Sequence, residues 1–181
     1  MRATSLSAVR ALGGWRMRSL DTGVEPLEVA SAGPLPATLS DRFMRFWEWR
    51  RDRSPAGDEL TAFGWWFASG RLPYEWGLQQ LRDLLKRGVR LGGSTHVALP
   101  RLRGMSSVDS WLVGEIAREL VARAPLDEDL ARVSEDLFAI ATALEAPTLS
   151  AEVQAIGAEV ESRLLSRGYD RPRRGQAPPS G

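Results

Sequence analysis

The sequence contains no cysteine, and this absence excludes several kinds of chemistry. Disulfide bonds, thiolate nucleophiles and all cysteine-based zinc or iron–sulfur sites are impossible in such a chain. Because lack of cysteine is typical of a reducing compartment, we expect a cytoplasmic protein. Long hydrophobic runs are also missing, since no apolar stretch approaches the roughly 20 residues that a membrane-spanning helix needs. We therefore expect no membrane partner.

Histidine is almost absent, because His96 is the only one. A Ser-His-Asp arrangement or a zinc hydrolase would have to use this imidazole, yet no nucleophile elbow or paired-histidine spacing surrounds it. The turn at residues 92–94 reads Gly-Gly-Ser and lacks the Gly-Lys-Ser/Thr ending of a phosphate-binding loop. We expect no catalytic residues and no cofactor, and so no enzyme.

An acidic run at residues 127–129 resembles a metal site, but it begins a predicted helix. Carboxylates in a first helical turn are explained by the helix dipole, and no calcium-loop pattern follows them. We therefore expect no metal site.

Lysine is nearly absent too: Lys86 is the only lysine among 24 basic residues. The many arginines, alanines, glycines and prolines indicate a GC-rich genome more than selection for guanidinium chemistry. The segment Asp58–Gly168 carries 12 basic and 16 acidic residues, a net charge of −4, against +1 for the whole chain. A duplex-binding domain is normally basic over its docking face, so this balance gives nucleic-acid binding little support.

The aromatic-rich stretch Asp58–Arg87 predicts the central element of the fold, a helical hairpin. Apolar residues recur at helical spacing behind Asp58, the predicted N-cap. Gly70 ends this helix, and Pro73 lies in the first turn of the next, where its missing N–H costs nothing. Gly88 ends the second helix. Because the connection is short, the two helices are expected to lie antiparallel.

A lone helix precedes the hairpin, from the predicted N-cap Ser40 to about Arg53. Its apolar side chains crowd one side of the helix, and Trp49 falls outside that stripe. The stripe consists of Phe43, Met44, Phe46 and Trp47. Two interpretations of Trp49 stay open. It packs on the next hairpin, or it stacks on a base or phosphate-bearing ligand among the neighbouring arginines.

Two helices are predicted between residues 94 and 124. Ser94 or Thr95 caps the first, and Pro100 limits or kinks it. Ser106 or Ser107 caps the second. Its predicted apolar face consists of Val108, Trp111, Leu112, Ile116, Leu120 and Val121.

The last two predicted helices span about residues 127–168. Asp127 begins the first, and Ser150 caps the second, which ends at Gly168. The chain is then all-α, with about seven helices: a lone helix followed by antiparallel hairpins at 58–88, 94–124 and 127–168. Hairpins of this length in series predict a HEAT or armadillo-like stack, and an irregular helical bundle is the alternative.

The two ends of the chain have the composition of disordered segments. Residues 1–39 are predicted to form a disordered leader and linker, residues 40–168 one helical domain, and residues 169–181 a disordered tail. The arginine-rich first 20 residues also resemble a transit peptide, but their apolar positions are scattered and a Gly-Gly pair interrupts any amphipathic helix.

Three segments carry a resemblance to a known group of proteins. They are AFGWWFASGRLPYEWGLQQLRDLL (Ala62–Leu85), VALPRLRGM (Val97–Met105) and SRLLSRGYD (Ser162–Asp170). Over roughly Arg42–Asp170 the chain resembles the C-terminal HEAT-like helical region of large bacterial multidomain proteins, in which such helices follow an NTPase or other effector domain. The resemblance implies a stand-alone or truncated sensing or scaffolding region, with no catalytic residues to transfer.

Eight residues are the candidates for partner binding. Six form a predicted arginine-rich edge: Arg82, Lys86, Arg87, Arg90, Arg101 and Arg103. The other two are aromatic, Trp49 and Trp65. We expect a non-enzymatic helical-repeat scaffold that binds another protein through these residues. The alternative is a nucleic-acid-binding accessory domain that uses the arginine-rich edge, and an ordinary solvated edge is the third interpretation.

Overall fold

Seven α-helices and one four-residue helix make up the described part of the chain. The computed structural model describes residues 33–53, 58–123, 130–131 and 133–172. The helices are α1 (Ala37–Arg53), α2 (Asp58–Thr61), α3 (Phe63–Ser69), α4 (Tyr74–Lys86), α5 (Thr95–Gly104), α6 (Ser110–Arg123), α7 (Ser134–Leu144) and α8 (Ala151–Ser166). A 3₁₀ turn, Gly92–Ser94, precedes α5. Because no strand occurs in these residues, the predicted all-α class is confirmed.

Several sequence predictions lie outside the described residues. These are the leader before residue 33, the tail after residue 172 and the acidic run at residues 127–129. The capping side chain of Asp58 lies outside them too.

The chain divides into two compact units, Met1–Ala98 and Leu99–Gly181, and the boundary falls within α5. The core of the first unit is aromatic. The ring centroids of Phe43 and Trp66 are 4.3 Å apart, and those of Trp47 and Phe63 are 4.7 Å apart. Burial of these large rings is the main stabilising contribution that α1 makes to this unit.

The first helix begins earlier than the sequence predicted. Its first turn is closed by the Pro36 carbonyl, which accepts hydrogen bonds from the amides of Leu39 and Ser40, each at 2.9 Å. Ser40 is therefore a buried residue inside α1 and not its N-cap. Residues 37–39, which were predicted to belong to the linker, are therefore helical, because the Pro36 carbonyl accepts the first helical hydrogen bonds.

The first half of the predicted hairpin is broken at Ala62 into α2 and α3. The Ser94 hydroxyl donates a hydrogen bond to the Thr61 carbonyl at 2.8 Å, and the Trp65 amide donates one to the Ala62 carbonyl at 3.1 Å. Gly64 permits this approach, because an added Cβ would lie 2.2 Å from Ser94 Oγ. The break therefore coincides with a contact from Ser94, a residue 33 positions after Thr61 in the chain.

The helix ends follow local chemistry more closely. Gly70 follows α3 in a left-handed conformation, φ 70°, as predicted for a terminating glycine. Pro73 is the N-cap of α4, one position before its first residue. Pro100 lies inside α5 without ending it. The cap of α6 is Asp109, whose Oδ1 accepts from the Leu112 amide at 3.0 Å, so neither Ser106 nor Ser107 fills that role.

In the second unit α6, α7 and α8 each pack on the other two. The Ser150 hydroxyl caps α8 by accepting from the Val153 amide at 3.4 Å, as predicted. Glycines allow close helix packing: a Cβ on Gly157 would lie 2.9 Å from the Ala141 carbonyl oxygen. The main packing partner of α6 is α8, whereas the prediction of a hairpin at 94–124 paired α6 with α5.

Candidate functional site

The six residues of the predicted arginine-rich edge divide between the two units. Arg82, Lys86, Arg87 and Arg90 belong to the first, and Arg101 and Arg103 to the second. Neither unit therefore carries all six residues on one surface of its own.

In the first unit, part of the edge is neutralised by neighbouring carboxylates. Arg82 Nη2 lies 3.2 Å from Asp83 Oδ1, and Arg87 Nη2 lies 3.4 Å from Asp52 Oδ1. Arg51 also donates to Asp52, at 3.0 Å, and this bond is the main cause that lowers the pKa of Asp52, with Arg87 adding to it. These arginines are already engaged within the protein.

The two arginines of the second unit have different surroundings. Arg103 Nη1 lies 2.7 Å from Asp136 Oδ1, but burial still raises the pKa of that carboxyl because desolvation outweighs the nearby positive charge. Burial lowers the pKa of Arg101. A partly desolvated Arg101 and a paired Arg103 are less available to an anionic partner than solvated arginines would be.

The two candidate tryptophans also differ. Trp65 is half-buried, and its ring meets the His96 imidazole edge-on with centroids 5.6 Å apart. Trp49, in contrast, is 51% exposed, and its ring contacts Phe46 and Arg53 of its own helix. Of the two candidates, Trp49 is therefore the more accessible to a partner.

The surroundings of Trp49 form a continuous face on α1. Phe46 was predicted to lie in the buried stripe, but it is 47% exposed, and Leu39 is 40% exposed. At about 100° per residue, five side chains fall within an arc of about 80°. We call this set the outer face: Leu39, Arg42, Phe46, Trp49 and Arg53.

Contacts within the outer face order its aromatic side chains. The rings of Phe46 and Trp49 are stacked, with centroids 6.0 Å apart and planes inclined by 27°. The Arg53 guanidinium lies over the Trp49 ring, 4.7 Å from its centroid. Such cation–π contacts contribute about 0.5–1 kcal/mol at exposed sites. The three side chains therefore form a row whose geometry is partly set before any partner binds.

The opposite side of α1 holds this helix on the first unit. Phe43 and Trp47 are buried in the aromatic core. Glu48 Oε1 accepts a hydrogen bond from Trp76 Nε1 at 2.9 Å, and Arg51 Nη1 donates to Gln80 Oε1 at 2.7 Å. A helix attached by both apolar and polar contacts presents its outer face with little freedom to reorient.

Basic charge dominates the edge of the outer face. Besides its own two arginines, Arg45 and Arg50 flank it along α1. Of the three acidic residues of α1, Glu48 accepts a hydrogen bond from Trp76 and Asp52 accepts one from Arg87, whereas Asp41 is exposed. The combination is an aromatic row with a positive border.

The second unit has a smaller exposed apolar pair. Val108 and Trp111 are 58% and 40% exposed, although both were predicted to face inward. Val108 precedes α6 and Trp111 lies in its first turn, whereas Leu112 and Ile116 form the buried face of this helix. This pair has no arginine row beside it in the α6 sequence.

No group of three or more histidine, cysteine or carboxylate residues able to hold a metal occurs among the residues described. Within the same part of the chain, every helix is too short or too polar to cross a bilayer. Comparison with protein-family models, curated proteins and solved structures returned no match. The outer face of α1 is thus the candidate site on its own geometry.

Proposed function

We propose that this chain is a non-enzymatic helical module that binds another protein through the outer face of α1. The observation that carries the proposal is the exposure of Phe46 and Trp49, adjacent to each other on a helix fixed to its unit. Contiguous exposed apolar side chains are the feature that marks interaction sites on protein surfaces, whereas single exposed ones are ordinary. Tryptophan and arginine are the residues that most often dominate the energy of protein interfaces.

The available apolar area supports a contact of useful strength. Two rings that are about half exposed present on the order of 200 Å². Burying that area contributes roughly 5 kcal/mol before the costs of association are subtracted. The face is therefore suited to the centre of an interface, with its arginines at the rim.

The test is site-specific photo-crosslinking in the native cell. A photoreactive phenylalanine analogue replaces Trp49 in one variant and Leu165 in the control, because Leu165 has a matching exposure of 49%. We expect a protein adduct at position 49 and none at 165. The captured protein, once purified, should bind Trp49→Ala at least 30-fold more weakly, about 2 kcal/mol, and Leu165→Ala unchanged. An adduct at neither position, or an unchanged Kd for Trp49→Ala, would refute the proposal.

Nucleic-acid binding through the arginine-rich edge is the alternative from the sequence. The ion pairs of Arg82, Arg87 and Arg103 support it less, because a phosphate would have to displace a carboxylate from each. This alternative requires binding that weakens steeply with added salt and that is lost when Arg87, Arg90, Arg101 and Arg103 become alanine. A shift assay with duplex DNA and RNA at two salt concentrations decides it.

We also propose a cytoplasmic location and a sensing or scaffolding role. Both follow from the composition and from the resemblance to HEAT-like regions of bacterial multidomain proteins, and both stay predictions.

A further inference from the structure

The residues of the outer face follow the spacing of a coiled-coil seam. Leu39, Phe46 and Arg53 are seven residues apart, and Arg42 and Trp49 follow the first two by three. Alternating steps of three and four are the a and d positions of a heptad. From Leu39 to Arg53 the row extends about 21 Å along α1. A surface of this shape is complementary to another helix lying along it.

The charge of the seam limits which helix can lie there. Arg42 and Arg53 occupy seam positions, and Arg45 and Arg50 flank the seam. Asp52 also flanks it, but its carboxylate is paired with Arg51 and Arg87. A second copy of α1 would bring the arginines of the seam against one another. Like charges at such positions disfavour pairing, and carboxylates favour it.

Single-stranded nucleic acid fits the same residues less well. Base stacking needs an open ring face beside a groove that follows the phosphates. One face of Trp49 is already covered by Arg53, and the outer face is a ridge on a single helix. Arginine and tryptophan are arranged here for side-chain packing.

We infer that the outer face of α1 binds an acidic amphipathic helix of another protein. Its apolar stripe packs on Leu39, Phe46 and Trp49, and its flanking carboxylates pair with the arginines of the seam. This inference rests on the proposed function and specifies the class of partner.

The test uses the full chain and synthetic 21-residue peptides. The first peptide has leucine at a and d and glutamate at e and g, so that its own charges disfavour self-association. In two matched peptides, glutamine or lysine replaces every glutamate. A 20-nucleotide single strand is the fourth probe. Binding is followed by fluorescence anisotropy of the labelled probe at low and high salt.

We expect the glutamate peptide to bind at least 10-fold more tightly than the glutamine peptide, and the lysine peptide not to bind. Trp49→Ala should lose the binding and Leu165→Ala should keep it. In the double variant Arg42→Glu/Arg53→Glu the preference should reverse toward the lysine peptide. That reversal is a gain of binding, and it counts only if Trp49→Ala in the same double variant abolishes it and circular dichroism shows the parent's helix content.

Three results would overturn the inference. They are equal affinity for the glutamate and glutamine peptides, tighter binding of the oligonucleotide, or self-association of the chain through Trp49. If these occur while Trp49 still crosslinks to a cellular protein, the acidic-helix inference fails and the proposed function stands. Absence of that crosslink removes the proposed function itself.

Discussion

The indole N–H of Trp76 in α4 donates a hydrogen bond to Glu48 Oε1 in α1, across 2.9 Å. Bonds to charged groups contribute about 1.5–3 kcal/mol when they are shielded from water, and this one is partly buried. We expect Glu48→Ala to lower the free energy of unfolding by about 1.5 kcal/mol, and Glu48→Gln, which keeps an acceptor, by about half as much. Urea unfolding followed by tryptophan fluorescence measures both. Equal losses would show that a neutral acceptor at position 48 contributes nothing and would contradict the expected partial effect of glutamine.

The junction between Gly64 and Ser94 should tolerate no side chain. A Cβ at position 64 would lie 2.2 Å from Ser94 Oγ and 2.7 Å from Ser94 Cβ. We expect Gly64→Ala to destabilise the first unit by about 2–3 kcal/mol through overpacking. Gly93→Ala is the control, since nothing lies within 4 Å of its added Cβ. The double variant Gly64→Ala/Ser94→Gly should recover part of the loss, and failure to recover any would contradict the proposed clash.

The contact between α7 and α8 depends on Gly157 in the same way. An added Cβ would approach the Ala141 carbonyl oxygen to 2.9 Å and Leu144 Cβ to 3.0 Å. Because the backbone of α7 must shift, we expect Gly157→Ala to cost about 1–3 kcal/mol. Gly104→Ala, which has open space, should have no cost. Thermal unfolding monitored by circular dichroism reports the difference, and similar melting temperatures for the two variants would contradict it.

Two carboxylates in the second unit predict opposite pH effects. Burial, and then the neighbouring Glu161, raise the pKa of Glu145, whereas a hydrogen bond from Arg171 lowers the pKa of Glu161. A raised carboxyl pKa stabilises the fold at low pH, and this contribution is lost as the pH rises through that pKa. We therefore expect Glu145→Gln to be more stable than the parent at pH 7, by a few tenths of a kcal/mol.

Glu161→Gln should have the opposite sign. A lowered pKa stabilises the fold above the ordinary glutamate pKa, and this contribution disappears as the pH falls through the lowered value. The variant should be less stable than the parent at pH 7, with the difference closing in acid. Unfolding curves between pH 3 and 8 measure both variants. Shifts of the same sign at pH 7 would contradict the assignment.

Substitutions in the outer face should have little effect on the free energy of unfolding. Trp49 is 51% exposed and Trp47 is 2% exposed, although they are two residues apart on one helix. We expect Trp49→Ala to change the free energy of unfolding by at most about 1 kcal/mol, mostly through the lost Arg53 contact. Trp47→Ala should cost about 3–5 kcal/mol. Comparable losses would mean that Trp49 is a core residue.

Sequence patterns predicted only part of the candidate site. Trp49 was singled out because it left the apolar stripe, whereas Phe46 was assigned to that stripe and is exposed. The heptad spacing from Leu39 to Arg53 was present in the sequence as a signal. Because α1 carries apolar residues on two sides, periodicity alone does not tell which side is buried.

The sequence by itself determined the all-α class, the glycine after α3 and the serine cap of α8, because helix propensity and capping act over a few neighbouring residues. Only the tertiary structure decided that Phe46 faces outward, that the helix breaks at Ala62 and that Asp52 neutralises Arg87. Each of these depends on a group distant in sequence: the aromatic core that takes the other side of α1, the Ser94 hydroxyl, and a carboxylate 35 positions away. Local chemistry does not specify which distant surface a helix packs against. That packing determines which face of the helix stays exposed to a partner.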